Sequence, residues 1–231
     1  MKVPRAAIEA YGRAIGAVYR VEYAAIEAWP GDEISAARDD GGFTLLMSAV
    51  NADNPSPRMV ELLVRRGAPL DAATPPASGT LPRALDNQGW TALHFAARNQ
   101  SESIVRTLLR LGARVDPVDG IGFTPLGRCV VDPYVKRGVV EALIEHGADP
   151  SLKNAHGMSP LDIATRQAPA LVLALRGEKT TARPYSTRTR FAPGDRLAHD
   201  KFGEGTVREL LRDRKIRVEF ADGVRDLIHD R

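Results

Sequence analysis

Cysteine is almost absent: Cys129 stands alone in 231 residues. No intrachain disulfide and no all-cysteine metal site can therefore form, a composition suited to a reducing compartment. Long hydrophobic runs are missing too, and no stretch approaches the length of a membrane-spanning helix. Near the N-terminus the apolar residues are interrupted by Arg5, Glu9, Arg13, Arg20 and Glu22, which excludes the hydrophobic region of a secretory signal. The sequence also lacks a Gly-x-x-x-x-Gly-Lys-Ser/Thr loop, a His-x-x-x-His pair and a Gly-x-Ser-x-Gly elbow. The expectation is a cytoplasmic protein with no cofactor, no metal, no membrane contact and no enzymatic activity.

What is present fits a folded chain, with 43% hydrophobic and 26% charged residues. The net charge of +3 is unevenly placed. Residues 176–190 carry Arg176, Lys179, Arg183, Arg188 and Arg190 against Glu178 alone, whereas residues 191–231 hold nine basic and nine acidic side chains. The basic excess sits in one short stretch, so a solvated tether outweighs a phosphate-binding strip there, and nucleic acid is not the expected main partner.

The chain repeats itself. Asp39–Leu46, Asp86–Leu93, Asp119–Leu126 and Asn154–Leu161 align, and the first three are followed by Leu/Val/Ile-rich stretches closing on Gly67-Ala68, Gly112-Ala113 and Gly147-Ala148. The period is roughly 33 residues, that of stacked helical hairpins. In the second unit Asp86–Gly89 form a turn, Thr91 caps a helix beginning Ala92-Leu93-His94, and Ile104, Val105, Leu108 and Leu109 place one apolar face on a second helix. Gly112 ends that helix in the left-handed conformation. A single unit cannot bury its face, so neighbours must stack.

The pattern Asp-x-x-Gly-x-Thr-x-Leu-His-x-Ala-Ala, closing on Leu-Leu-x-x-Gly-Ala, resembles the ankyrin repeat over about residues 20–178. Unit one departs through Leu45 and the extra Asp53-Asn54-Pro55-Ser56-Pro57, unit three through Gly127 and extra residues around Asp132-Pro133, and unit four through Ser159 and Asp162. Arg5–Ala28, as one helix or two, and a helix after Pro169 resemble terminal caps. The insertion between Asp71 and Asp86 is a further departure: unit one takes nineteen residues from glycine to the next turn, where units two and three take seven. It reads equally as a neutral surface loop or as a partner contact. The resemblance implies that His94 bonds local backbone, and Cys129 falls at a small-residue position where a thiol is buried and inert.

Phe43, Trp90, Phe123 and Met158 occupy one turn position in successive units. The resemblance places that position on the concave side, so the four form an apolar ladder. Either each packs on its neighbours, or together they form an exposed binding stripe. Asn87, Gln88, Phe95, Arg98, Asn99, Arg128 and Asp132 then flank the stripe and complete the candidate partner site.

From Phe191 the apolar period shortens to two. Ile216, Val218 and Phe220 alternate with Arg217 and Glu219, and Asp222-Gly223 marks a hairpin before Val224–Ile228. Gly194–Val207, with Ile216–Phe220, is similar to the Tudor-like module that ends superfamily I DNA helicases. In that family the module is implied to dock on RNA polymerase, and Lys201, Phe202 and Glu204 are the candidate surface residues of the barrel here. The helicase motor itself is missing.

The expected architecture is mainly α: an ankyrin-repeat α-solenoid over 1–178, a basic linker over 179–190, and a small SH3/Tudor-like β-barrel over 191–231. The expected function is a non-enzymatic module, monomeric when free, that holds one protein partner on its concave face. Bacterial immunity proteins and adaptors are the roles the resemblance implies. The alternative is a transcription- or repair-linked factor whose barrel docks polymerase while the linker touches nucleic acid.

Overall fold

The computed structural model describes residues 3–76, 87–177, 183–186, 191, 193–211 and 215–228. Most of the 72–85 insertion, Asp86, much of the basic linker, and Arg212, Arg214 and His229 lie outside the described residues.

Helices α1 (Arg5–Tyr19), α2 (Tyr23–Glu27) and α3 (Gly31–Ala36) come first. The segment Arg5–Ala28, expected as one helix or two, is two, broken at Val21, a β-branched residue held at φ +58°. Helix α3 lies beyond it, after Pro30. Four helical units follow: α4 (Leu45–Val50) with α5 (Pro57–Arg65), α6 (Ala92–Arg98) with α7 (Glu102–Arg110), α8 (Pro125–Val130) with α9 (Arg137–Glu145), and α10 (Pro160–Gln167) with a 3₁₀ turn (Pro169–Leu171) and α11 (Val172–Leu175). First helices pack on first helices, α1–α4–α6–α8–α10, and second on second, α2–α5–α7–α9–α11. The N-terminal pair thus covers the open face of unit one as a cap.

Each unit starts the same way. Thr44 Oγ1 accepts from Met47 N at 3.0 Å, and Thr124 Oγ1 from Gly127 N at 3.1 Å. Ser159 Oγ accepts from Asp162 N at 3.1 Å, while the Asp162 carboxylate accepts from Ser159 N at 3.0 Å. These bonds satisfy amide donors that the first helical turn leaves free. Gly67, Gly112 and Gly147 end the second helices at φ near +90°, the left-handed conformation the sequence predicts for Gly112. One apolar core runs from Ala10 to Leu175 through every unit.

The C-terminal residues form one sheet ordered β1 (Arg183–Pro184), β2 (Arg196–His199), β3 (Gly203–Leu211), β4 (Lys215–Phe220), β5 (Gly223–Ile228). β2 to β5 are antiparallel neighbours, with the hairpin expected at Asp222-Gly223 joining β4 to β5, and β1 adds to β2 in parallel. Part of the supposed tether is therefore a strand. The expected closed barrel is not found: among the described residues β5 pairs only with β4, and β1, two residues long, pairs only with β2. The side chain of Tyr185 spans the opening by donating to the carbonyl of Ile228.

Phe191, Leu197, Val207, Ile216, Val218, Phe220 and Leu227 give the sheet its own core. A Cβ on Gly205 would lie 2.5 Å from Val218 Cγ1 and 2.7 Å from the Phe220 ring. Gly205→Ala is therefore expected to destabilise the sheet by about 1–3 kcal/mol, as overpacking does. Amide hydrogen exchange across 197–227 reads this; unchanged protection would contradict the packing described.

Candidate functional site

The repeat turns are closed by side chains. Asp39 Oδ1 accepts from Phe43 N at 2.7 Å, Asp119 Oδ1 from Phe123 N at 2.9 Å, and Asn154 Oδ1 from Met158 N at 3.2 Å. In unit two Thr74, near the start of the insertion, closes the turn: its Oγ1 accepts from Trp90 N at 2.9 Å, and its N–H donates to the Trp90 carbonyl at 2.9 Å. Successive turns are also bonded, Gly120 N to the Gln88 carbonyl at 2.8 Å and Ala155 N to the Ile121 carbonyl at 3.0 Å. A Cβ at Gly89 or Gly122 would crowd the backbone of the next turn at about 3 Å, and both take positive φ.

These turns set a row of aromatic and cationic groups. Phe43 lies 5.2 Å from Phe95, and Phe95 lies 5.0 Å from Trp90, between ring centroids. The Arg128 guanidinium sits 4.9 Å from the Trp90 ring and 4.7 Å from that of Phe123, a double cation–π contact. Its Nε donates to the Asp119 carboxylate at 2.5 Å, and a second nitrogen completes the ion pair.

The candidate residues divide by exposure. Trp90, 4% exposed, and Phe95 are buried within the row. Phe43, Phe123 and Met158 are half-buried, with Met158 packed on the helical core at the far end. Asn87 and Gln88 are half-exposed on the unit-two turn, while Arg98 and Asn99 are exposed at the end of α6. Asp132 is half-exposed and accepts from Tyr134 N at 2.8 Å. On the sheet Lys201 is exposed, Phe202 lies beneath the Arg225 guanidinium at 4.6 Å, and Glu204 pairs with Arg196.

His94 Nδ1 accepts from Thr91 N at 3.1 Å, which leaves its Nε2–H to donate to the Phe123 carbonyl at 3.1 Å. The histidine therefore ties unit two to unit three. Burial pushes its pKa down to about 4, with the Arg128 charge adding to the shift and the Phe123 carbonyl and Asp119 opposing it. Below its ordinary value of 6.5 the unfolded chain takes up a proton that the folded chain refuses. His94's contribution is thus whole above pH 6.5 and lost as pH falls towards 4, a loss of about 3 kcal/mol. Urea melts across that range should show the slope, and His94→Gln should flatten it; an unchanged slope would contradict the buried neutral imidazole.

Cys129 is buried, its thiol pushed up to about 12 by burial, which makes it an inert core residue. Gln100 beside it was not among the residues singled out. Its Nε2 donates to the Cys129 carbonyl at 3.1 Å, and its Oε1 accepts from Lys136 N at 2.8 Å. Among the described residues no group of three His, Cys, Asp or Glu side chains is placed to hold a metal ion, and no helix is long and apolar enough to cross a membrane.

Stacked helical pairs with bonded turns define a helical-hairpin repeat protein. The family model for ankyrin repeats (three copies) matches residues 21–119 and 46–154, together more than half of the chain. The chain belongs to the ankyrin-repeat family. It is similar to human SH3 and multiple ankyrin repeat domains protein 2, 31% identical over 185 residues that cover 65% of this chain and 9% of that protein. It is also similar to the palmitoyltransferase AKR1 of Candida albicans, 37% identical over 79 residues, 34% of this chain and 10% of that protein. The solved ankyrin-repeat domain of Bcl-3, described as a unique member of the IkappaB protein family, superposes with a TM-score of 0.51 at 32% identity, covering 62% of this chain and 55% of that one. The chain spans no more than about a third of the curated relatives it matches.

Proposed function

We propose that the chain is a non-enzymatic protein-binding module whose partner seats on the turn tips and first helices of the repeats. The observation that supports this most is the contrast in exposure along the aromatic row. Its interior members, Trp90, Phe95 and Arg128, hold the row rigid, while Phe43, Phe123 and Met158 show an edge beside exposed Arg98 and Asn99 and half-exposed Asn87 and Gln88. Ankyrin domains generally mediate protein–protein interaction, and a rigid scaffold with apolar and polar groups side by side suits that role. His94 and Cys129, the most reactive residue types in the repeats, are committed to packing.

In finer form the reading is an immunity protein that neutralises a cognate toxin, or an adaptor, monomeric when free. Capture of host proteins on the immobilised full chain tests it, with Gln88→Glu/Arg98→Glu as the paired variant. One stoichiometric protein partner, lost with the variant at unchanged melting temperature, is the expected result. A partner that ignores the variant would overturn the placement.

A second reading draws on the C-terminal sheet, whose run of four antiparallel strands is in keeping with the Tudor-like resemblance. There the sheet, presenting Lys201, Phe202 and Glu204, docks RNA polymerase, and the basic linker touches nucleic acid. Capture of polymerase that survives the paired variant would favour it.

A further inference from the structure

The connections within the helical pairs are unequal. Unit two joins α6 to α7 through three residues, 99–101, whereas units one and three use six, 51–56 and 131–136. The short connection therefore lies between two longer ones. The step leaves a groove of about 400 Å³ lined by Asn51, Asp53, Pro55, Asn99, Gln100 and Lys136. It is open and its lining is mostly polar, unlike the enclosed apolar pockets that hold small molecules.

Both walls are fixed to the floor. Asn99 Nδ2 donates to Asn51 Oδ1 at 3.0 Å, joining the floor to the unit-one wall. Gln100 joins it to the unit-three wall through its bonds to the Cys129 carbonyl and Lys136 N. Gln100 is held at φ +53°, a conformation that persists only where its surroundings enforce it. The groove thus exists before anything binds, and an occupant need not order its loops.

The charges of the groove are unspent. On the second helices, Glu61, Glu102, Glu141 and Glu145 are each paired with an arginine. Asp53 on one wall and Lys136 on the other are exposed and have no ion-pair partner among the described residues. Tyr134, 84% exposed, stands on the Lys136 loop as apolar surface beside the groove. Asn99 also belongs to the proposed partner face, which makes the two surfaces continuous.

We propose that this groove receives an extended segment of a protein partner, with a basic side chain at the Asp53 end and an acidic one at the Lys136 end. Asn51 and Asn99 bond the segment's backbone. This deepens the protein-binding reading and rests on it.

The test uses the full chain and synthetic ten-residue peptides carrying one basic and one acidic residue, two basic, two acidic, or none. Wild-type protein is expected to bind bipolar peptides at least about tenfold tighter than the others. Asp53→Lys should turn the preference to acidic peptides and Lys136→Glu to basic ones, both with unchanged thermal melting because the two side chains are exposed. Equal binding of all classes, no binding, or preferences that ignore the swaps would overturn the groove. So would undiminished capture of the cellular partner by Asp53→Lys/Lys136→Glu, which would leave the broader reading standing. Failure of the wild-type chain to capture any protein would instead sink the broader reading.

Discussion

Trp90→Ala is expected to lower the unfolding free energy by about 3–5 kcal/mol, the range for truncating a buried tryptophan. The indole is 4% exposed and touches Phe95, His94 and the Arg128 guanidinium, so its removal opens a cavity in the row joining units one to three. Its Nε1–H has no partner among the described residues, so no hydrogen bond is lost, and Trp90→Phe should recover much of the stability. Urea titration followed by helical circular dichroism measures both. Near-wild-type stability of Trp90→Ala, with loss of partner affinity alone, would make Trp90 an exposed contact and contradict the packing.

Arg128→Ala is expected to cost a comparable amount, about 3–5 kcal/mol, by stranding a buried charge. The Asp119 side chain is fully buried and that of Arg128 17% exposed. Asp119 Oδ1 is already engaged by the amides of Ile121 and Phe123, so the guanidinium is what balances its charge. Asp119→Asn keeps the amide acceptor while removing the charge. The double variant should therefore be more stable than Arg128→Ala alone, a coupling that a double-mutant cycle detects. A cost below about 1 kcal/mol for Arg128→Ala would place the pair among surface ion pairs.

Much of the repeat architecture is legible in the sequence because it rests on local signals. Thr44, Thr124 and Ser159 cap the helices they precede, Gly112 ends its helix, and the Leu/Val faces of α5, α7 and α9 are buried. The row's chemistry was less legible. Arg128 reads as a flank of an exposed stripe, since nothing local reveals that Asp119, nine residues earlier, folds beneath it and that Trp90 and Phe123 close over it. Thr74 and Gln100 carry no motif, and their roles come from contacts 16 and 36 residues away. Gly127 and Asp132-Pro133 did signal that unit three departs from its neighbours, and the longer 131–136 connection is one wall of the groove. The open sheet differs from the expected barrel because alternation fixes strand faces but not which edges meet.

The measurement that tests the central claim most directly is hydrogen–deuterium exchange of the full chain, free and with its captured partner. Binding on the repeats predicts new protection at residues 87–99 and 120–123, with 196–228 unchanged. Protection confined to 196–228 would contradict it and move the partner to the C-terminal sheet.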